Sequence, residues 1–142
     1  MIISLKMKLL RGAYASGDWE GVLQIDASST LEQLHFAIQD GLKFDNDHMY
    51  EFFTARGERS RERVSFDDEN GGAYDRTIAS LFPLPKNHHL YYLFDYGDNW
   101  LFSLTKSRSA MTAPEPKITY PRLVLEVGKR PEQYPSMEDD ED

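Results

Sequence analysis

The chain has 142 residues, contains no cysteine and carries a formal net charge of −8 at pH 7. Its length is typical of one domain, and the absence of cysteine excludes thiol catalysis, disulfides and thiolate metal sites and suits a reducing, cytoplasmic compartment. The C-terminal SMEDDED supplies five of the carboxylates, and the mild acidity of the rest argues against nucleic acid as a general partner, because phosphates favour basic proteins.

The first two predicted elements are strands, because apolar and polar residues alternate in both. In SLKMKLL the apolar residues from Leu5 to Leu9 alternate with lysines, and WEGVLQID repeats the pattern from Trp19 to Ile25. The lysines favour a strand over a secretory signal at the start of the chain. No apolar run approaches the length of about 20 residues that crosses a bilayer, so no membrane association is expected.

A helix follows over TLEQLHFAIQD. Ser29, three residues before Glu32, predicts a capping box at its start, and Gly41 is placed to end it. His35 lies at the edge of the apolar face of this helix. The aromatic segment HMYEFFTA then predicts a third strand.

A long polar segment, Arg56 to Tyr74, predicts a loop. Arginines and acids alternate within its RGERSRER stretch, which is typical of a solvated surface. Asp75 is placed to cap a short helix through TIASLF, which ends at two prolines. The segments HHLYYLFDY, NWLFSLTK and YPRLVLEVG predict three further strands.

This order of elements predicts an α+β fold with a mixed sheet, a crossing helix and a β-grasp-like start. The order is strand, strand, helix, strand, short helix, strand, strand, strand. We expect a single domain over residues 1–135. Residues 136–142 are predicted to be a disordered acidic tail, because they have no apolar surface to bury.

The stretch FDYGDNW, residues 94–100, has two interpretations. In a hairpin turn, Gly97 and Asp98 would take positive backbone angles, Asp95 or Asp98 would accept backbone amides, and Trp100 would pack across the strands. In a catalytic loop, Asp95 and Asp98 would need different environments, one buried and one wet. Nothing in the sequence indicates such a difference, so the turn is preferred.

Four residues are the candidates for catalysis: His35, His48, Asp95 and Asp98. Imidazole and carboxylate ligands at His35, His48 and Asp95 would suit zinc or manganese. However, none of these residues has a diagnostic ligand spacing, and the sequence has neither a phosphate-binding glycine loop nor a nucleophile elbow. The sequence therefore predicts no metal and no cofactor.

Three segments resemble motifs of the plasmid pRi open-reading-frame-three-like family, which is associated with mobile elements. They are TLEQLHFAIQDGLKFDNDHMYEF, YLFDYGDNW and YPRLVLEVGKRPEQYP. The resemblance implies an α+β domain and no catalytic mechanism. The chain departs from many members, because Glu20 and Gly21 stand after Trp19 where those members have two arginines.

The favoured function is a non-enzymatic module that binds a protein or peptide through its sheet or an aromatic surface. The alternative is a metal-dependent enzyme that acts on nucleic acid. The two differ in whether the four candidate residues converge in one concave pocket.

Overall fold

The structure, a computed structural model, describes residues 1–69 and 71–135; the predicted tail, 136–142, lies outside them. In chain order, the described residues form the strands β1 (Ile2–Arg11) and β2 (Trp19–Asp26), the helix α1 (Leu31–Leu42), the strands β3 (Tyr50–Ala55) and β4 (Arg63–Phe66), a 3-10 turn (Ala79–Leu81), and the strands β5 (His89–Phe94), β6 (Trp100–Lys106) and β7 (Arg122–Gly128). The strands make one sheet in the order β4-β3-β5-β6-β1-β2-β7. No helix in the described ranges has the length and apolarity needed to cross a membrane.

The prediction of an α+β fold with a mixed sheet, a crossing helix and a β-grasp-like start is wrong. Every pair of neighbouring strands is antiparallel, including both pairs that β1 makes, with β2 on one side and β6 on the other. With one short helix against seven strands, the described part of the chain is closer to all-β. The order of elements was read correctly over most of the chain, but order alone does not determine which strands pair.

The strand β4 lies within the segment that was predicted to be a loop. It pairs with β3 from Phe52 opposite Phe66 to Ala55 opposite Arg63. Its side chains are mostly exposed, so the alternation of apolar and polar residues that reveals a half-buried strand is absent. Only the backbone hydrogen bonds to β3 make this segment a strand.

The core lies mainly on one face of the sheet, under α1. The alternation predicted for β1 and β2 is confirmed, since Leu5, Met7, Trp19 and Leu23 are all buried there. A smaller apolar cluster lies on the other face; its buried members are Phe53, Ala55, Tyr91, Leu93 and Leu101. The guanidinium of Arg63 stands 4.1 Å from the centre of the Phe53 ring at this cluster.

The helix begins and ends later than predicted. The capping box is formed by Thr30 and Gln33, because the Thr30 hydroxyl accepts from the Gln33 amide and the Gln33 side chain accepts from the Thr30 amide. Ser29 instead accepts the Ile78 amide with its carbonyl at 2.9 Å. At the other end Lys43, with φ 62°, is the C-cap residue, and Gly41 lies inside the helix.

The predicted short helix after Asp75 is a single 3-10 turn, Ala79–Leu81, whose N-cap residue is Ile78. The Thr77 hydroxyl, not Asp75, accepts an amide of the turn, that of Ser80 at 3.3 Å. Ala79 donates its amide to the Ala27 carbonyl at 2.9 Å. The loop before α1 therefore helps to hold this segment.

Candidate functional site

The stretch FDYGDNW forms the turn between β5 and β6. Oδ1 of Asp95 accepts the amides of Gly97 at 3.0 Å and Asp98 at 3.1 Å, as expected for a turn. The left-handed residues are Asp95 (φ 62°) and Asn99 (φ 58°), so the prediction of positive angles at Gly97 and Asp98 is wrong. Asp and Asn tolerate this region because their short polar side chains bond locally.

The turn brings two of the candidate catalytic residues into contact. Nε2 of His48 lies 3.3 Å from Oδ2 of Asp95, whose side chain is 7% exposed against 43% for His48. The same Nε2 lies 2.9 Å from the hydroxyl of Tyr134, and that hydroxyl donates to Asp47 at 3.1 Å. His48 therefore links the turn to the C-terminal part of the described chain.

The neighbouring Gln133 strengthens this link. Its side chain is buried, accepts the Asp45 amide at 2.6 Å and donates to Asp47 at 2.8 Å. These contacts join residues far apart in the chain, and no local pattern marks Gln133 as a buried residue. Of the side chains around His48, Asp95 was a candidate from the sequence, whereas Tyr134 and its neighbour Gln133 were missed.

His35 belongs to a separate, buried network. Its Nδ1 lies 2.6 Å from the Tyr92 hydroxyl and its Nε2 lies 2.6 Å from Oδ1 of Asn46. Gln39 closes a ring of hydrogen bonds, because it donates to the Tyr92 hydroxyl at 2.9 Å and accepts the Asn46 amide at 3.0 Å. An acceptor at Asn46 assigns the proton of His35 to Nε2, and Tyr92 then donates to Nδ1.

Burial lowers the pKa of His35 to about 4, so the ring is neutral at pH 7. It also stacks on Tyr50 with the ring centres 3.6 Å apart. Both ring nitrogens are occupied by protein groups, which leaves neither to a metal or a substrate in this arrangement.

The four candidates therefore do not share one site. His48 and Asp95 touch, and Asp98 lies in the same turn, where its amide donates to Asp95 and its carbonyl accepts the Ala13 amide at 2.8 Å. His35 is engaged elsewhere. Within residues 1–69 and 71–135, no three or more histidines and carboxylates are grouped so that they could hold a metal ion.

A different constellation lies where β3 begins and β4 ends, beside the start of α1. We call it the acidic tyrosine patch. It extends around the end of the sheet, because Tyr50 and Asp68 lie on the face of α1 and Glu51 and Asp67 on the opposite face. Its members are Tyr50, Tyr96 and the groups whose charges act on one of these two tyrosines: Glu32, Glu51, Asp67, Asp68, Glu69 and Tyr74. Phe52 pairs with Phe66, so the same antiparallel register carries Asp68 towards Tyr50. The Glu32 amide donates to the Ala73 carbonyl at 2.6 Å, which holds the loop after β4 against α1.

Tyr50 is the buried member of the patch. It is 5% exposed, yet its hydroxyl has no hydrogen-bond partner among the described residues. Burial, together with the negative charges of Asp68 and Glu32, raises the pKa of Tyr50 well above its usual value. The hydroxyl thus stays protonated and lies within electrostatic reach of these carboxylates.

Tyr96 and Tyr74 are the exposed aromatic members. Tyr96 is 48% exposed, and burial together with the carboxylates of Glu51 and Asp67 raises its pKa to about 12. The Tyr74 hydroxyl donates to the Asp68 carbonyl at 3.4 Å. The sequence predicted only a long polar loop from Arg56 to Tyr74. It did not predict that Tyr50 lies beneath this loop, because that position depends on the pairing of β3 with β4.

Comparison with known proteins places the fold and the family. The described fold is similar to the crystal structure of the protein of unknown function MM3350 from Methanosarcina mazei Go1, with a TM-score of 0.70 and 19% sequence identity, over 88% of this chain and 68% of that one. At this identity the likeness shows the fold alone. No curated protein matches the sequence. The family profile described as plasmid pRiA4b ORF-3-like protein matches residues 21–134, and the chain therefore belongs to that family, as its three motifs predicted.

Proposed function

We propose that this chain is a non-enzymatic interaction module of the cytoplasm, a single domain over residues 1–135, which binds a basic segment of a partner protein at the acidic tyrosine patch. The observation that carries the proposal is the set of carboxylates that follows β4, Asp67, Asp68 and Glu69, beside the exposed rings of Tyr74 and Tyr96. An arginine or lysine of a partner can donate to a carboxylate and lie against an aromatic ring at the same time.

The charge of the patch supports a basic partner. Five of its eight members are carboxylates, whose like charges repel one another. Glu51 lies 3.7 Å from the guanidinium of Arg63. A cationic partner would reduce the repulsion between the acids and would be steered to the surface by their field.

The exposed tyrosines support a peptide or protein partner over a simple inorganic cation. A guanidinium or ammonium is attracted to the face of an aromatic ring as well as to a carboxylate. Tyr74 and Tyr96 are both about half exposed and present rings beside the acids. Tyrosine supplies a large contact area at low entropic cost, which is why it is common in protein interfaces.

The proposal can be tested by fluorescence anisotropy with a labelled peptide of alternating arginine and glycine. The same peptide with glutamate in place of arginine is the ligand control. We expect the basic peptide alone to bind, with an affinity that falls as salt is raised. We expect Asp68→Asn to weaken binding about tenfold, since losing one hydrogen bond to a charged group costs about 1.5 kcal/mol or more.

Asp68→Asn separates a binding role from a structural one. It removes the charge of an exposed side chain and keeps its shape, so the free protein should be about as stable as the parent. Asp18, an exposed acid in the loop between β1 and β2, gives a matched control: Asp18→Asn should change neither property. Equal binding of both peptides, or an Asp68→Asn variant that binds as tightly as the parent, would refute the proposal.

The alternative of a metal-dependent enzyme acting on nucleic acid is favoured by one observation, the contact of His48 with the buried carboxylate of Asp95. A buried carboxylate that orients an exposed imidazole is a common arrangement for a general base. Elemental analysis of the purified chain tests this alternative. We expect no stoichiometric transition metal, and about one zinc or manganese per chain would favour the enzyme.

A further inference from the structure

The strand β4 forms one edge of the sheet. It pairs with β3 on one side, and no strand in the described part of the chain pairs with its other side. A row of backbone amides and carbonyls along such an edge is available to pair with another chain. Val64 of β4 is 59% exposed, whereas β-branched side chains are suited to a half-buried sheet surface. This edge is therefore a place where an added strand can bind.

The two ends of β4 carry opposite charges. The loop that enters it, residues 56–62, has three arginines and two glutamates, and we call it the basic loop. One of the glutamates, Glu58, lies 3.1 Å from Arg11 and 3.8 Å from Arg59, whose side chain is 82% exposed. Arg61 forms no ion pair within residues 1–69 and 71–135. The segment that leaves β4 begins with three consecutive carboxylates, Asp67, Asp68 and Glu69.

These charges are arranged symmetrically about Val64. Arg61 stands three residues before Val64, and Asp67 stands three residues after it. Arg59 and Glu69 stand five residues before and five residues after it. When two copies of one strand pair antiparallel about a two-fold axis, residues at equal distances before and after the axis lie opposite each other. An axis at Val64 thus directs each arginine towards an acid of the other copy and sets the two exposed valine side chains against each other.

We propose that a second copy of this chain is a partner of the acidic tyrosine patch, and that the two copies pair antiparallel through their β4 strands. The basic loop of each copy would then lie against Asp67, Asp68 and Glu69 of the other. Each of these contacts forms twice, because the interface uses the same surface on both copies. The inference rests on the proposed function, since it uses the same acids and names the partner that supplies the basic segment.

The other edge of the sheet, β7, is less suited to such pairing. Leu125 has a φ of 53°, which interrupts the strand, and irregularities of this kind protect an edge from added strands. The carboxylate of Glu126 is already bound within the chain, because Arg130 donates to both of its oxygens. The surroundings of β7 therefore provide the sites for control substitutions.

Sedimentation velocity of the purified chain tests the dimer. The interface consists of two short strands and two pairs of loops, so we expect a weak dimer with a dissociation constant of about 10 to 100 µM. Raising the salt concentration should weaken the dimer, because its charged side chains are exposed. A parent chain that stays monomeric up to about 1 mM would overturn the inference.

Charge reversal tests which ends of β4 meet. One variant carries Arg59→Glu and Arg61→Glu, and the other carries Asp68→Lys and Glu69→Lys; all four side chains are exposed, so both variants should fold. We expect each variant alone to be monomeric, because like charges would face each other. An equimolar mixture should form a heterodimer, because both contacts again join opposite charges. A mixture that stays monomeric, or a variant that dimerises like the parent, would overturn the inference.

A matched control changes the net charge equally at exposed lysines on either side of β7. It carries Lys117→Glu and Lys129→Glu, and it should dimerise like the parent because β4 lies at the opposite edge of the sheet. Circular dichroism of all the variants should show the spectrum of the parent.

Peptide binding separates this inference from the proposed function. The Arg59→Glu, Arg61→Glu variant is expected to be a monomer with free acids after β4, so it should bind the peptide of alternating arginine and glycine. A monomeric parent that binds this peptide would overturn the inference alone, because the basic segment would then belong to a different protein. A dimeric parent whose monomeric variant does not bind the peptide would refute the proposed binding of a free basic segment, but not the dimer.

Discussion

The two tryptophans are expected to respond differently to the same substitution by phenylalanine. Both are fully buried in the core under α1. The indole N–H of Trp19 donates to Glu126 at 3.3 Å, whereas the indole N–H of Trp100 is buried and has no hydrogen-bond partner among the described residues. The pair therefore offers two nearly equal cavities that differ in one hydrogen bond.

The difference can be worked out from that bond. Both substitutions delete the same atoms, so the transfer and cavity costs cancel to first order. Trp19→Phe also loses a long hydrogen bond to a carboxylate, which we take as about 1 kcal/mol, and Trp100→Phe relieves an unsatisfied buried donor, a gain of about 1 to 3 kcal/mol. Trp19→Phe should thus be more destabilising than Trp100→Phe by roughly 2 to 4 kcal/mol.

Urea unfolding followed by far-ultraviolet circular dichroism measures both variants without relying on the altered tryptophan fluorescence. Equal slopes of the free energy of unfolding against urea would show that the two denatured states are comparable. An equal loss of stability at the two positions, or a larger loss at Trp100, would refute the reasoning. It would mean that the Trp100 N–H is hydrogen-bonded in solution.

Three further predictions concern a glycine, a histidine and the C-terminus. Gly12→Ala should cost about 1 to 3 kcal/mol of unfolding free energy, because the new methyl group overlaps the Trp100 ring, while Gly57→Ala, which meets no atom within 4 Å, should cost much less in the same urea assay. The folded-state pKa of His35 lies below its unfolded value, so the unfolded state takes up the proton first and stability should fall as pH drops from about 6.5 to about 4; urea titrations across this range should show a shallower loss in His35→Gln. Deleting residues 138–142, a run of five carboxylates, should leave the thermal midpoint nearly unchanged, and a drop of many degrees would mean that the run docks on the body.

Local patterns in the sequence located most of the elements and the family. Alternation of apolar and polar residues marked β1 and β2, and the helical period marked the apolar face of α1. His35, which was expected at the edge of that face, is fully buried. Boundaries were less accurate, because Ser29 and Thr30 are both residue types that are favoured at N-caps. In the structure the Ser29 carbonyl accepts the Ile78 amide, and the Thr30 side chain caps the helix.

The fold class depends on which strands pair, and no local pattern in the sequence reveals that pairing. The strand β6 lies beside β1 across most of the chain length, and β4 exists only because β3 offers it an edge. Backbone hydrogen bonds are the same for every residue type except proline, so pairing leaves little trace in composition. For this reason the sequence predicted a mixed sheet, whereas every strand pair in the described residues is antiparallel.

The candidate sites divide in the same way. The sequence by itself determined the residue types available, namely histidines, carboxylates and tyrosines without cysteine, and the turn at Asp95. Tertiary structure alone decided that His35 bonds to Tyr92 and Asn46, that His48 contacts Asp95, and that the Tyr50 hydroxyl is buried with no hydrogen-bond partner in residues 1–69 and 71–135. The physical reason is that the hydrogen-bond partners and the burial of a side chain are set by residues distant in sequence, which become its neighbours only when the sheet has formed.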